Sequence, residues 1–114
     1  RGHAVTAVGR PPAPAKDYLP DSAEIVLADI NDSSDDTLLR MFDSAGAVVF
    51  GGGADGRNLF SAPAIDGYRA ANVTPMRRLV SLLHRSDVPR LVILGSFYTA
   101  LHRTFPALKL DTLH

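Results

Sequence analysis

Four short apolar runs, each ending in small or polar residues, constrain this chain more than any other feature. They occupy residues 3–9 (HAVTAVG), 24–30 (EIVLADI), 47–53 (AVVFGGG) and 90–96 (RLVILGS). Near-continuous apolar runs, without strict alternation, are typical of strands that are covered on both faces. We therefore predict four buried, parallel strands.

The segments between these runs predict helices and one loop. The acidic, serine-rich residues 31–36 suit a helix N-terminus, where unpaired N–H groups and the helix dipole favour carboxylates and hydroxyls, and they predict a helix over 34–44. Apolar residues at helical spacing predict a longer helix over 65–86, with a kink or a restart at Pro75. The proline-rich residues 10–20 predict a loop. We interpret four arginines as a solvated helix face and its connection: Arg77, Arg78, Arg85 and Arg90. Strands that alternate with helices favour a parallel α/β sheet.

Composition excludes several classes of protein and site. A chain of 114 residues buries one core. Twelve basic and twelve acidic residues balance, which argues against a dedicated nucleic-acid binder. The absence of cysteine excludes disulfides and thiolate metal sites and makes the cytoplasm the default compartment. The four histidines lack metal-ligand spacing, and no apolar run approaches the roughly 20 residues that span a bilayer. We expect a small-molecule substrate, no nucleic-acid or membrane partner and no metal, and a homo-oligomer is compatible with the sequence.

Four segments carry a family resemblance through their order and spacing. They are residues 1–10 (RGHAVTAVGR), 25–32 (IVLADIND), 45–53 (AGAVVFGGG), and 68–73 (YRAANV) followed by 90–96. They resemble the second, third and fourth strands, and then the fourth helix and fifth strand, of the NAD(P)-dependent epimerase/dehydratase family of short-chain dehydrogenases/reductases. The resemblance implies an α/β fold: a partial Rossmann-type, doubly wound parallel sheet in which strands 2 to 5 are visible. Residues 1–114 would then form a partial NAD(P)-binding domain.

Two motifs of that family do not occur in this sequence: the glycine-rich turn after the first strand, and the Tyr-x-x-x-Lys pair after the fifth. The chain also begins at Arg1. In a sheet of order 3-2-1-4-5-6 the first strand lies between the second and the fourth. Without it, the four strands should form two unconnected pairs with unpaired inner edges. We therefore expect a fragment of a larger enzyme that is inactive and marginally stable alone.

The resemblance implies adenosine contacts at the ends of the first two runs. Arg10 ends the first run, where this fold places the group that meets the ribose 2′ position, and an arginine there favours NADP, with NAD as the alternative. Asp29 could accept the adenine amino group while Ile30 packs on the ring. The competing interpretations are a solvated arginine at a strand end and an aspartate that only caps a helix.

The third and fourth runs supply the remaining candidates. Gly51, Gly52 and Gly53 would allow close backbone approach to the cofactor, although plain loop flexibility is an alternative. A literal G-x-G-x-x-G match ending at Gly56 lacks a clean helix after it, and the P-loop pattern lacks its lysine. By resemblance, Ser96 is the catalytic hydroxyl that donates to the reacting oxygen, and Asn72 supports the active-site network. Asn72 could instead be only a weak helix former.

These assignments indicate an enzyme that transfers a hydride to or from the nicotinamide and acts as an epimerase, dehydratase or reductase. An alternative is a redox sensor that binds NADP without turning it over. A third interpretation, a glutamine-amidotransferase-like sheet, lacks the nucleophilic cysteine.

Overall fold

The computed structural model describes residues 2–11, 19–96, 101 and 103–108. Strands and helices alternate along the chain as the sequence predicts, and most of the predicted loop over 10–20 lies outside the described residues. The elements are β1 (Thr6–Gly9), β2 (Glu24–Leu27), α1 (Asp35–Phe42), β3 (Val48–Phe50), α2 (Ala64–Tyr68), a π-helical turn (Arg69–Val73), α3 (Thr74–Leu83), β4 (Leu91–Ile93) and a 3₁₀ turn (Pro106–Leu108).

The strands form two parallel pairs. β1 pairs with β2, with Thr6 opposite Glu24, and β3 pairs with β4, with Val48 opposite Leu91. Within the described residues the two pairs are separate two-stranded sheets with no strand in common. This arrangement confirms the expectation of two unconnected parallel pairs.

The expected burial of the strands is wrong for the described structure. Val8 is 53% exposed and Val49 is 64% exposed, and Val92, which lies opposite Val49, is also exposed. Apolar side chains on both faces of a strand need a covering layer on each side, and a two-stranded sheet rarely holds its own core. The strand sequences therefore fit a wider, covered sheet better than the pairs described here.

Helix α1 begins where its capping residues predict. The Ser34 hydroxyl accepts a hydrogen bond from the Thr37 N–H at 3.2 Å, and Asp35 and Asp36 occupy the first turn. Both features satisfy or stabilise the unpaired N–H groups at a helix start. The helix, Asp35–Phe42, is slightly shorter than the predicted helix over 34–44.

Helix α2, the π-helical turn and α3 follow one another without a break over residues 64–83, close to the predicted 65–86. We call this continuous segment the long helix. Pro75, where the sequence predicts a kink or a restart, occupies the first turn of α3, and the helix continues through it with a changed hydrogen-bond pattern. In the π-helical turn the Thr74 N–H donates to the Arg69 carbonyl five residues earlier. Pro75 has no N–H of its own, which favours a local change of hydrogen-bond pattern at this point.

The core lies between two helices. Leu38 of α1 is buried, as are Pro75, Leu79 and Leu82 of α3, and the two helices pack against each other. None of the helices in the described ranges has the length and apolar content needed to cross a membrane. Among the described residues, the fully buried apolar side chains therefore lie between helices and not on a sheet face.

Candidate functional site

The carboxyl ends of β1 and β2 bring Arg10 and Asp29 together. The Ala28 N–H donates to the Gly9 carbonyl at 3.0 Å, which keeps the two chains paired just beyond the strands. The Arg10 Nε then lies 3.9 Å from the Asp29 Oδ2. The Arg10 side chain is 77% exposed, so this contact is a weak surface ion pair that leaves the guanidinium accessible to a ligand.

Asp29 also shapes the turn that leads into α1. Its Oδ1 accepts a hydrogen bond from the Asn31 N–H at 2.8 Å, and its carbonyl accepts one from the Ser33 N–H at 2.9 Å. A side-chain oxygen that binds the backbone two residues later is an Asx turn. The turn keeps one carboxylate oxygen towards its own backbone and the other towards Arg10. Ile30, half-buried, lies at the next position in this turn.

The three glycines after β3 form a tightly fitted loop. A Cβ at Gly51 would lie 3.1 Å from the Leu94 Cδ1, and one at Gly53 would lie 2.8 Å from the Asn72 Oδ1. A Cβ at Gly52 would make ordinary contact with the Phe50 ring at 3.4 Å. Close packing therefore requires glycine at Gly53 and favours it at Gly51. Close approach of the backbone to a cofactor and plain loop flexibility both stay predictions for this loop.

Asn72 holds the end of the glycine loop with both halves of its amide. Its Oδ1 accepts from the Ala54 N–H at 2.6 Å, and its Nδ2 donates to the Ala54 carbonyl at 3.0 Å. Asn72 belongs to the π-helical turn and is half-buried. In this structure it positions the loop, and its membership of an active-site network stays a prediction.

The chain after the glycines is a turn fixed to α2. The Tyr68 hydroxyl donates to the carbonyl of Asn58 at 3.1 Å, and the Asp55 N–H donates to the Asn58 Oδ1 at 2.9 Å. The next helix begins only at Ala64. A dinucleotide fingerprint needs a helix that opens at its last glycine, so Gly56 does not complete one.

Arg57 pairs with Asp55 within the same turn. The Arg57 Nε lies 3.0 Å from both carboxylate oxygens. These hydrogen bonds, together with one from the Arg57 N–H, lower the pKa of Asp55 to about 2. Arg57 occupies the position at which a phosphate-binding loop carries its lysine. In this structure the Arg57 guanidinium forms an ion pair with Asp55.

Ser96 lies three positions after the last residue of β4 and is exposed. The Leu94 N–H donates to the Phe50 carbonyl at 2.9 Å, so the β3–β4 pairing continues just past both strands. The carboxyl ends of neighbouring parallel strands lie at one edge of a sheet, where open α/β sheets bind ligands. Ser96 and the glycine loop therefore follow the same sheet edge.

The structure thus groups the predicted residues into two clusters. The first, at the ends of β1 and β2, contains Arg10, Asp29 and Ile30; the second, after β3 and β4, contains Gly51, Gly52, Gly53, Asn72 and Ser96.

The prediction that Arg78 belongs to a solvated helix face is wrong. Arg78 is not a solvated side chain: its guanidinium contacts the turn before α1 and is only 26% exposed. The signal was present in the spacing, because Arg78 lies three residues after Pro75 and four before Leu82, both buried. That spacing places it on the packed face of the helix, unlike the exposed Arg77.

A family model for NAD(P)H-binding proteins matches residues 1–113. No curated protein and no solved structure gives a significant match. The family match covers nearly the whole chain and agrees with parallel strand pairs whose carboxyl ends carry the candidate residues. It supports a nicotinamide cofactor and does not separate NADP from NAD. This chain belongs to the NAD(P)H-binding family.

Proposed function

We propose that this chain forms the adenosine- and ribose-binding part of an NAD(P)-dependent reductase, epimerase or dehydratase. The observation that carries the proposal is the meeting of Arg10 and Asp29 at the carboxyl ends of two parallel strands. Ligands of open α/β sheets bind at this edge. The substrate would be a sugar nucleotide or another small hydroxy or keto compound.

The residues of the first cluster fit the adenosine end of such a cofactor. Arg10 offers an exposed, permanently charged guanidinium, whose fork of donors matches a phosphate group. The Asp29 carboxylate provides acceptors beside it, and Ile30 provides apolar surface. An arginine at this position favours the 2′-phosphate of NADP over the 2′-hydroxyl of NAD.

Ser96 is the residue of this chain that we propose to act on the substrate. When bound, the nicotinamide supplies or accepts a hydride. Reduction of a carbonyl places negative charge on its oxygen, and a hydroxyl donor at that point stabilises the charge. The sequence has no tyrosine followed four positions later by lysine. We therefore place the acid that delivers the proton outside residues 1–114.

We also propose that these residues are part of a wider sheet. The inner edges of β1 and β3 pair with no strand in the described part of the chain, and apolar side chains of both pairs are exposed. A further parallel strand between them would pair both edges and complete a doubly wound order. Such a strand would also bring the two clusters to one continuous sheet edge.

The test is a titration of the full-length protein with NADPH and NADH, before and after Arg10→Ala. Loss of a charge-assisted contact to phosphate costs about 1.5–3 kcal/mol, so NADPH affinity should fall by roughly 10- to 100-fold while NADH affinity changes little. Arg77→Ala, an exposed arginine on α3, is the matched control. An unchanged ratio of the two affinities after Arg10→Ala would refute the phosphate contact.

A second candidate function is a redox sensor that binds NADP(H) without turnover. A Tyr-x-x-x-Lys pair downstream of these residues would favour the enzyme, and its absence there would favour the sensor. The two functions separate when NADPH consumption is followed with a panel of ketones, aldehydes and sugar nucleotides. Consumption with any of them supports the enzyme, and tight NADPH binding without consumption supports the sensor.

A further inference from the structure

The Arg78 guanidinium donates several hydrogen bonds to the turn between β2 and α1, residues 28–34. Its Nη1 donates to the carbonyls of Ile30 and, at 3.0 Å, Asn31. Its Nη2 donates to the Ser33 carbonyl at 2.6 Å and to the Asp35 Oδ1 at 2.8 Å. One side chain thus donates to three backbone carbonyls and one carboxylate. A planar, five-donor group can satisfy such a set, whereas a lysine ammonium has only three donors.

A second arginine, seven residues further along the chain in the turn just after α3, completes the cluster. The Arg85 Nη1 lies 2.7 Å from the Asp35 Oδ2, so each carboxylate oxygen of Asp35 accepts from a different arginine. These two side-chain hydrogen bonds lower the pKa of Asp35. The Asp35 carboxylate, which is ionised near neutral pH even at its ordinary pKa, thus holds both arginines at the N-terminus of α1.

Side chains of the long helix form hydrogen bonds with the backbone beside both candidate clusters. Asn72 binds the backbone after the glycine loop, and Arg78, six residues later, binds the backbone after Asp29. Six residues of helix rise by about 9 Å, so both anchors lie within two turns. The two sheets share no strand in the described residues. The relative position of the two clusters thus depends on this helix.

We propose that Arg78 is a positioning residue for cofactor binding: it holds the 28–34 turn so that Asp29 and Ile30 face the adenosine end of the dinucleotide. This inference rests on the proposed function. Loss of Arg78 leaves three backbone carbonyls of the turn without their donor, and the turn then samples other conformations. Apparent affinity falls in proportion to the fraction of molecules that keep the competent turn.

The experiment compares Arg78→Gln with Arg77→Gln in the full-length protein, by two readouts. The first is amide hydrogen exchange of residues 31–33 without any ligand, with the amides of Leu79 and Leu82 as an internal reference for global unfolding. The second is the dissociation constant of 2′,5′-ADP, which probes the adenosine end alone. In Arg78→Gln we expect about tenfold faster exchange in the turn and about tenfold weaker 2′,5′-ADP binding. Arg77→Gln should match the wild type in both.

Arg78→Lys separates geometry from charge. The lysine keeps the attraction to Asp35 but cannot reach all four acceptors, so we expect the turn to exchange nearly as fast as in Arg78→Gln. Full recovery by lysine, or wild-type exchange and affinity in Arg78→Gln, would overturn the proposal. If the wild type binds none of NADPH, NADH and 2′,5′-ADP, the proposed function fails. The exchange readout then still decides whether Arg78 holds the turn.

Discussion

At the scale of single residues, Asp55 carries a large pKa change that can be tested directly. Its pKa is lowered from 3.8 to about 2 by hydrogen bonds from the side chain and the backbone N–H of Arg57. A carboxylate with a lowered pKa stabilises the folded state above its unfolded-state value, and this contribution disappears as the pH falls through the folded-state value. The window is therefore about pH 3.8 down to about 2. Both side chains are exposed, so the effect on global stability should be small.

We expect a carbon-detected NMR titration of the Asp55 carboxyl to give a midpoint near 2, and Arg57→Gln to move it towards 3.8. Arg69→Gln, an exposed arginine of the π-helical turn, should leave the midpoint where it is. A wild-type midpoint already near 3.8 would show that the pair does not form in solution.

The side chains that position the two clusters were harder to identify from sequence than those at the strand ends. Arg10, Asp29 and Ser96 lie at or just after the ends of apolar runs, and their places near strand ends can be read from that pattern. Arg78 and Asn72 bind main-chain atoms that lie 45–48 and 18 residues away. Apart from the Asp35 carboxylate, these partners are backbone atoms, which carry no side-chain signature in the sequence.

At the scale of elements, Gly67 decides how the turn after the glycine loop packs on α2. A Cβ at this position would lie 2.5 Å from the Phe60 Cδ1 and 2.7 Å from the Phe60 Cβ. The Phe60 ring in turn meets the Tyr68 ring edge-on, with centroids 4.9 Å apart. The absence of a side chain at Gly67 lets the phenylalanine lie against the helix.

Gly67→Ala sets two effects against each other. Alanine in a helix gains about 1 kcal/mol over glycine, but overpacking costs about 1–3 kcal/mol. Since the contact would involve the base of the Phe60 side chain, which cannot swing away, we expect net destabilisation and a lower thermal midpoint. Gly46→Ala, where no atom lies within 4 Å of the added Cβ, is the control. A higher midpoint in Gly67→Ala would show that Phe60 is not held there.

The elements that follow local chemistry were predictable. Ser34 with its acidic neighbours marks the start of α1, and Pro75 marks the point in the long helix where the hydrogen-bond pattern changes. The π-helical turn before Pro75 was not predicted, because a proline indicates an interruption of the α-helical pattern without showing which hydrogen-bond pattern replaces it. The exposed strand faces were also missed, because an apolar run predicts burial without showing what covers it.

At the scale of the whole molecule, the two separate sheets give a prediction about stability. Each pair leaves apolar side chains exposed, and the buried core is limited to the α1–α3 contact among the described residues. We expect residues 1–114 alone to unfold in urea over a broad range, with a low slope, and to aggregate on refolding. A sharp, reversible transition would contradict the proposal that a further strand completes this sheet.

The central claim is that the dinucleotide lies across the carboxyl ends of both strand pairs. Amide hydrogen exchange of the full-length protein, with and without NADPH, tests it most directly. We expect NADPH to slow exchange at residues 9–10, 29–31 and 51–54 together. Binding of NADPH with protection confined to other parts of the protein would contradict it.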